Sequence, residues 1–418
     1  MTGLLATAAT IIPVILKVLL IVLPILLPAF LIWQFFVIWQ KYIRTYYIAN
    51  TEFVLLEIKI PKEISKSPLA MEVVLTSLYQ TGSVTYQDTY WVGKMKPWFS
   101  LELVSMEGQV RFFIWTQKRY KDMIEAQIYG QYENVEIQEV EDYTSQIKRN
   151  PEEIFMWGTH YKLAKEDVYP IKTYVDYKLE AGDEEEEKVD PMTSLIEFLG
   201  SMKKGEQIWI QILIKAHKKE GLREGRLIKK KDWKEEAEEE LEEIRESMKL
   251  DEAHMRIATE GEKNQIFSIE RSIDKLAFDC MIRGFYIAKN AAFDNGSITA
   301  LIGALRQFNS NSLNGFKLGW YTDHSDNAKD RAALLPFLPF YRKSYMDKKR
   351  AHYEEEMLEA YKMRSFFYPP YRNFEGEPFI LTTEEIATIY HFPGMVASTP
   401  TLARIPSKKA APPPNLPI

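Results

Sequence analysis

Six histidines, His160, His217, His254, His324, His352 and His391, and one cysteine, Cys280, are the side chains of this 418-residue chain best suited to metal binding or nucleophilic chemistry. No two histidines stand at HxxxH or HExxH spacing, which would place both imidazoles on one helix face, so a zinc site would need assembly from distant segments. Cys280 sits in the apolar run "FDCMIRGFYIA" and reads as a small core residue on a strand. A lone cysteine cannot form an intramolecular disulfide, which fits a reducing cytoplasm. Phosphate cradling by GxxxxGK[ST] is not encoded. Gly93-Lys94 lacks both the upstream glycine and the following Ser or Thr. No GxSxG elbow occurs, and "TDHSD" at 322–326 reads as a polar loop, because consecutive loop residues need not converge. The expectation is a chain with no catalytic, cofactor-binding or metal-binding residues, and hence not an enzyme.

Charge offers a second kind of chemistry. The 53 basic and 59 acidic residues leave a net charge of −6, so any nucleic-acid contact must be local. The densest basic stretch holds Lys215, Lys218, Lys219, Arg223, Arg226, Lys229, Lys230, Lys231 and Lys234, which are candidate phosphate contacts. No aromatic residues interleave with them before Trp233, so base stacking finds no support. "AGDEEEEKVD" at 181–190 reads as a solvated acidic loop.

The elements that must carry these residues begin with a membrane anchor over 1–48. From Leu4 to Gln40 the only charge is Lys17, and Val18 to Ile38 is apolar apart from Gln34, where about 20 such residues cross a bilayer core. The run is too long for a cleaved signal peptide and lacks a small-x-small cleavage site. Pro13, Pro24 and Pro28 predict a kink or a re-entrant hairpin. Trp33, Trp39, Tyr42, Tyr46 and Tyr47 form an interfacial belt, and for a single crossing Lys41 and Arg44 beside it place the bulk of the chain in the cytoplasm, with the expected location a cell (inner/cytoplasmic) membrane.

Beyond the anchor the fold reads as α+β, with tandem ferredoxin-like (βαββαβ) modules. Over 49–145, "FVLLEIKIP" alternates as a strand and Met71, Val74, Leu75 and Leu78 align on a helix. "WFSLELVS" and "QVRFFIWTQ" form a hairpin around "MEGQ", then a helix and the strand "VEIQEVEDY" complete the order. Over 146–325 the order recurs: strand "IKTYVDYKL" at 171–179, helix with Leu195, Ile196, Leu199 and Met202, and strand "QIWIQILIKA". Strand "FDCMIRGFYIA", a helix with Ile298, Leu301, Ile302 and Leu305, and "GFKLGWYTD" follow. A helical insertion at about 217–276 falls where this module needs its central hairpin, with Trp233, Ala237, Leu241, Ile244 and Met248 at helical spacing.

Residues 326–418 read mostly as connection: a charged helix, a short helix with a Thr382/Glu385 capping box, and a tail with Pro400, Pro406, Pro412, Pro413, Pro414 and Pro417. Pro400, Arg404, Lys408, Lys409, Pro412, Pro413 and Pro414 are the candidate partner-docking residues of that tail, whose prolines lower the entropy lost on ordering.

"SPLAMEVVL", "PWFSLELVSMEGQVRFFIWTQKRYKDMIEAQIYGQYENVEIQEVEDYT", "RSFFYPPYRNFEGEPFILTTEEIATIYHFPG" and "TPTLARIPSKKAAPPPNLPI" together resemble the membrane-anchored N-terminal region of conjugative-transfer, type IV secretion coupling-type ATPases. The resemblance runs from about residue 50 to the last residue and marks a region, not an active site. It implies that the tail leads toward a RecA-like motor, whose P-loop this sequence does not carry. The functional expectation is a non-catalytic membrane scaffold positioning a separately encoded motor ATPase, with room for a homo-oligomer and only indirect nucleic-acid contact. The alternative is a membrane-tethered nucleic-acid-binding protein using the basic arm. On that alternative, reversing Lys229, Lys230 and Lys231 to Glu flattens the slope of log affinity against log salt for DNA, measured by fluorescence anisotropy.

Overall fold

The computed structural model describes residues 2–61, 66–82, 85, 87–180, 189–218, 232–247, 249–251, 254–255, 259–322, 339–368, 377–394 and 404–405. The chain divides into two compact units. The smaller holds residues 1–51, 84–95 and 368–370, and the larger holds the rest.

The smaller unit is built on helix α1 (Thr2–Ala49), which runs through Pro13, Pro24 and Pro28 as one helix and not as a re-entrant hairpin. Its portion Val22–Ala49 has 28 residues, a mean hydropathy of 2.2 and an apolar stretch that is 0% buried. At 1.5 Å per residue that portion is about 42 Å long, enough to cross a hydrocarbon core of about 30 Å. By length and composition it is a candidate membrane span.

The larger unit is α+β, organised on one large, mainly antiparallel sheet. Strands β1 (Phe53–Pro61), β2 (Phe99–Met106), β3 (Gln109–Gln117) and β4 (Glu136–Val140) are interrupted by helices α2 (Leu69–Leu78) and α3 (Lys121–Gln131). They pair as β4-β1-β3-β2. The β2–β3 turn uses Glu107 at φ 53° and Gly108 at φ 84°, both left-handed, the backbone that suits a two-residue hairpin. A Cβ on Gly108 would lie 2.8 Å from the Met202 carbonyl oxygen, so the turn needs glycine for space as well.

The second half runs β5 (Ile154–Leu163), α4 (Pro191–Gly200), β6 (Glu206–Ala216), β9 (Ala277–Lys289), α7 (Asn295–Gly303) and β10 (Phe316–Tyr321). These strands pair as β10-β5-β9-β6. Each half therefore places its own strands in the order fourth, first, third, second. The halves meet second strand to second strand, β2 against β6, from Phe99↔Ile214 to Met106↔Gln207.

The first strand of the second half is not where the sequence suggested. Residues 171–180 fold as turns, with the Thr173 amide donating to Asp176 Oδ2 at 2.8 Å and Lys178 at φ 58°. The strand is β5 instead. Buried on both faces along most of its length, it lacks the alternation that signals a half-exposed strand.

Between β6 and β9 lie α5 (Trp233–Ser247), the short pair β7 (Lys249–Asp251) and β8 (His254–Met255), and α6 (Glu260–Ile273). Trp233, Ala237 and Leu241 pack with Ile269, Ala277 and Val168 in a small core of their own. The main core lies on the sheet face covered by α2, α3, α4 and α7, where Leu75, Ile124, Leu195 and Leu301 meet Leu101, Phe112, Ile210 and Ile282.

The C-terminal stretch is more than a connection. Helix α8 (Pro339–Lys362) ends with Met357, Leu358 and Tyr361 buried, against Trp209 and Phe285 of the opposite sheet face. Strand β11 (Phe379–Thr382) pairs with β9, and helix α9 (Thr383–Ile389) carries the Thr382/Glu385 capping box with every residue buried. Tyr390 and Phe392 then pack on Phe112. Strand β12 (Arg404–Ile405) pairs in parallel with the end of β1.

Just past α8, Arg364 is fully buried and forks onto Glu102 of β2, Nε to Oε1 at 2.8 Å and Nη2 to Oε2 at 3.1 Å. Arg364→Ala strands that carboxylate under the helix, and we expect it to cost about 3–5 kcal/mol, read as a lower urea midpoint. Replacing both partners, Glu102→Leu with Arg364→Met, costs less than the single change because the fully buried carboxylate goes with its partner and the one left behind, Asp142, is partly exposed.

Candidate functional site

Three polar constellations stand out in the larger unit. The first is buried. Strand register sets Glu102 opposite Gln211, Gln211 opposite Arg283, and Arg283 opposite His160, so four neighbouring strands place one polar residue each in a single row. All four side chains point away from the main core, since their strand neighbours Leu101, Ile210, Ile282 and Tyr161 belong to it.

Glu102 accepts hydrogen bonds from Ser100, Gln211, Tyr143 and Arg364. Tyr143 also lies 3.0 Å from the Tyr361 hydroxyl. Arg364 pairs in addition with Asp142. Burial works against the Asp142 carboxylate, but the Arg364 guanidinium overrides it and holds its pKa below the ordinary range. Burial likewise works against Arg364, and Glu102 more than offsets it. Arg283 is paired with neutral oxygens, Gln211 Oε1 at 3.2 Å, the Ala360 carbonyl at 2.9 Å and the Ser365 carbonyl, and burial brings its pKa down to about 9. His160 is held neutral by burial and by the charge of Arg283. A carboxylate taking this many donors has its lone pairs occupied, and the row is closed to solvent. Its chemistry is that of a lock on register and on α8, not that of an acid–base catalyst.

The second constellation clasps the insertion. His217, just after β6, lies 2.6 Å from Asp279 of β9 through Nδ1 and 3.1 Å from Asp232, at the start of α5, through Nε2. Lys215 pairs with Asp279 at 2.9 Å, and the Tyr79 hydroxyl donates to the His217 carbonyl. Asp167, which burial pushes up to about 6, and Glu236 share this surrounding. Burial disfavours the imidazolium, but the two aspartates outweigh it and raise the His217 pKa above 6.5.

The third is an open cleft of about 380 Å³ whose lining includes Lys172, Lys178, Asp176, Asn264, Phe267 and Arg271. Its wall is fixed by Arg271, which binds Glu384 of α9 at 3.0 Å and stacks over the exposed Phe267 ring at 5.2 Å. Lys172 rests on the Tyr177 ring at 3.8 Å. Lys172, Lys178 and Arg271 against Asp176 and Glu384 leave this surface one positive charge in excess, which favours anions.

The residues read from sequence as phosphate contacts fare unevenly. Lys215 is committed to Asp279 and lies over the Phe367 ring, Lys234 donates to the Ile273 carbonyl, and Lys218 is exposed. Neither Lys215 nor Lys234 projects as a free arm. Lys219, Arg223, Arg226, Lys229, Lys230 and Lys231 lie outside the described residues. Of the docking residues, Arg404 gives its backbone to β1, and Pro400, Lys408, Lys409, Pro412, Pro413 and Pro414 lie outside the described residues. Cys280 is buried on β9, with its thiol pKa pushed well up by burial. His391 bridges Asp190 at 3.1 Å and the Ala387 carbonyl, and His352 pairs with Glu356. Among the described residues, no group of three or more His, Cys, Asp or Glu is placed to hold a metal ion. Sequence reasoning passed over the buried row, although its signal was present: "FSLELVSM", "IWIQILIKA" and "CMIRGFYIA" set Glu102, Gln211 and Arg283 between apolar neighbours near the middle of each strand.

The sequence profile of a family described as "Domain of unknown function (DUF8128)" matches residues 48–317. The chain belongs to that family. The DUF8128 match takes in the first half of the sheet, the insertion and the second half as far as the start of β10, so the β2–β6 junction and the His217 clasp lie inside it. Arg364 and α9 lie beyond the matched residues. No curated protein matches the chain.

A histidine whose pKa is raised on folding contributes stability that is full below pH 6.5 and is lost as pH rises through its folded pKa. We therefore expect wild type to exceed His217→Gln by about 1–3 kcal/mol below pH 6.5, with the difference shrinking above it, in paired urea titrations.

Proposed function

We propose that this DUF8128 protein is a non-catalytic membrane scaffold, which α1 holds at the inner face of a cell membrane while the sheet lies in the cytoplasm. The observation that carries this reading is the 28-residue apolar portion of α1, whose apolar stretch is 0% buried, in a chain that also builds a large folded sheet. The strand order fourth, first, third, second in each half supports two ferredoxin-like modules fused edge to edge. Such a fused sheet is a rigid platform, because the buried Glu102–Arg364 pair ties the first module to the end of α8 and the hydrogen bonds of Gln211 and Arg283 tie in the second. The partner suggested by the sequence resemblance is a separately encoded ATPase of a conjugation or type IV secretion-like machine.

The test is affinity purification of the full chain from detergent-extracted membranes. Retention in the membrane pellet after alkaline carbonate, with a P-loop ATPase co-purifying in stoichiometric amount, is the expected outcome. Release of the chain into the soluble fraction sinks the anchor, and a retained chain that brings no ATPase sinks the motor.

A second reading, a membrane-tethered nucleic-acid-binding protein, draws on the cleft's Lys172, Lys178 and Arg271 beside the exposed Phe267, as well as on the basic arm. It requires that Lys172→Glu with Lys178→Glu weaken single-stranded DNA binding and flatten its salt dependence.

A further inference from the structure

In the smaller unit a short π-helical turn, Asp88–Val92, lies against the C-terminal part of α1. The contact is close. Gly93 follows the turn at φ 73°, and a Cβ there would fall 2.5 Å from the Ile43 carbonyl carbon and oxygen and 2.8 Å from the Arg44 nitrogen. Only glycine allows the two backbones to meet this way. The Trp39 indole donates to the Tyr90 carbonyl at 3.0 Å, and Ile43 is buried in the helix side that faces this contact.

What the turn exposes is apolar. Trp91 is 68% exposed and Val92 54%, and the Trp91 ring sits edge-on to Trp39 with centroids 6.2 Å apart. Trp39 in turn neighbours Tyr42, and Tyr42 neighbours Tyr46, both 62% exposed. The turn thus widens the aromatic belt of α1 sideways at the level of residues 39–43. The apolar run Val18–Ile38 spans about 31 Å as a helix, which matches the hydrocarbon core, so Trp39 begins the headgroup layer. Tryptophan prefers that layer, where the ring is half in hydrocarbon and the indole N–H is satisfied. Lys41, Arg44 and Lys94 supply cations at the same level for lipid phosphates.

We propose that the Asp88–Val92 turn is a second membrane contact, with Trp91 and Val92 entering the headgroup layer of the leaflet that holds Trp39. This rests on reading α1 as a membrane span. Two contact points at one depth fix the rotation and tilt of the helix, which a single span leaves free.

The test uses the full chain in vesicles of phosphatidylcholine and phosphatidylglycerol, with an environment-sensitive fluorophore on Val92→Cys, Phe36→Cys or Glu260→Cys. Cys280 is buried and does not compete for label in the folded protein. Iodide probes water, and a lipid bearing a nitroxide near its headgroup probes the interface. The expected result is that the label at 92 is quenched by the nitroxide lipid and shielded from iodide relative to 260. Adding Gly93→Val, which cannot seat against Ile43, is expected to return the label to iodide. If 92 is as open to iodide as 260 while 36 remains shielded from it, the proposal fails and the anchor stands. Shielding at 92 without nitroxide quenching overturns the proposal in favour of a protein cover. If 36 is itself open to iodide, the anchor fails and the proposal with it.

Discussion

The structure depends on one antiparallel pairing, β2 against β6. Through it two four-stranded halves become one sheet, and the strands on either side of the seam each set a polar residue on the same line. Glu102 and Gln211 face each other across the seam itself, Arg283 continues the line, and Arg364 arrives from beyond α8 to neutralise Glu102. A one-residue slip at β2–β6 would turn Glu102 toward the apolar core and leave Arg364 unpaired, at a cost of several kcal/mol for each buried charge. Register between the halves is therefore specified by charge, while their attachment comes from apolar burial on the other face.

That arrangement also explains why the C-terminal stretch folds back. A sheet with helices on one face leaves the other face open, and the polar row on that face needs donors and acceptors that its own strands do not supply. Tyr361, Arg364 and the carbonyls of Ala360 and Ser365 provide them, and α8 brings apolar cover in the same step. On the opposite side, α9 is held by the hydrogen bonds of Glu384 to Thr173 and of Glu385 to the Ile171 amide, and burial raises the Glu385 pKa to about 7. The segments that look like linkers by composition are thus the parts that close both layers.

The insertion follows a different logic. It leaves the sheet at His217 and returns at Ala277, adjacent positions whose backbones share a hydrogen bond at 3.0 Å. A long excursion with closely spaced ends costs the sheet little, since loop-closure entropy grows slowly with length. His217, Asp232 and Asp279 draw the two ends together electrostatically, and α5 with α6 makes a small core of its own.

The long apolar helix at the N-terminus, the βαββαβ order of the first half, the hairpin glycine, the Thr382/Glu385 cap and the position of the insertion were all legible in the sequence, because each is a local pattern of hydrophobicity, turn chemistry or capping. β5 was hidden because burial on both faces erases alternation, and the segment 171–179 imitated a strand because its apolar residues reach the core from turns. The pairing of the two halves, the meeting of Glu102 with Arg364 some 262 positions away, and the clasp of His217 between two aspartates belong to the tertiary structure alone. Local pattern sets which residues must leave water. Only the register of strands far apart in sequence decides which buried charge meets which.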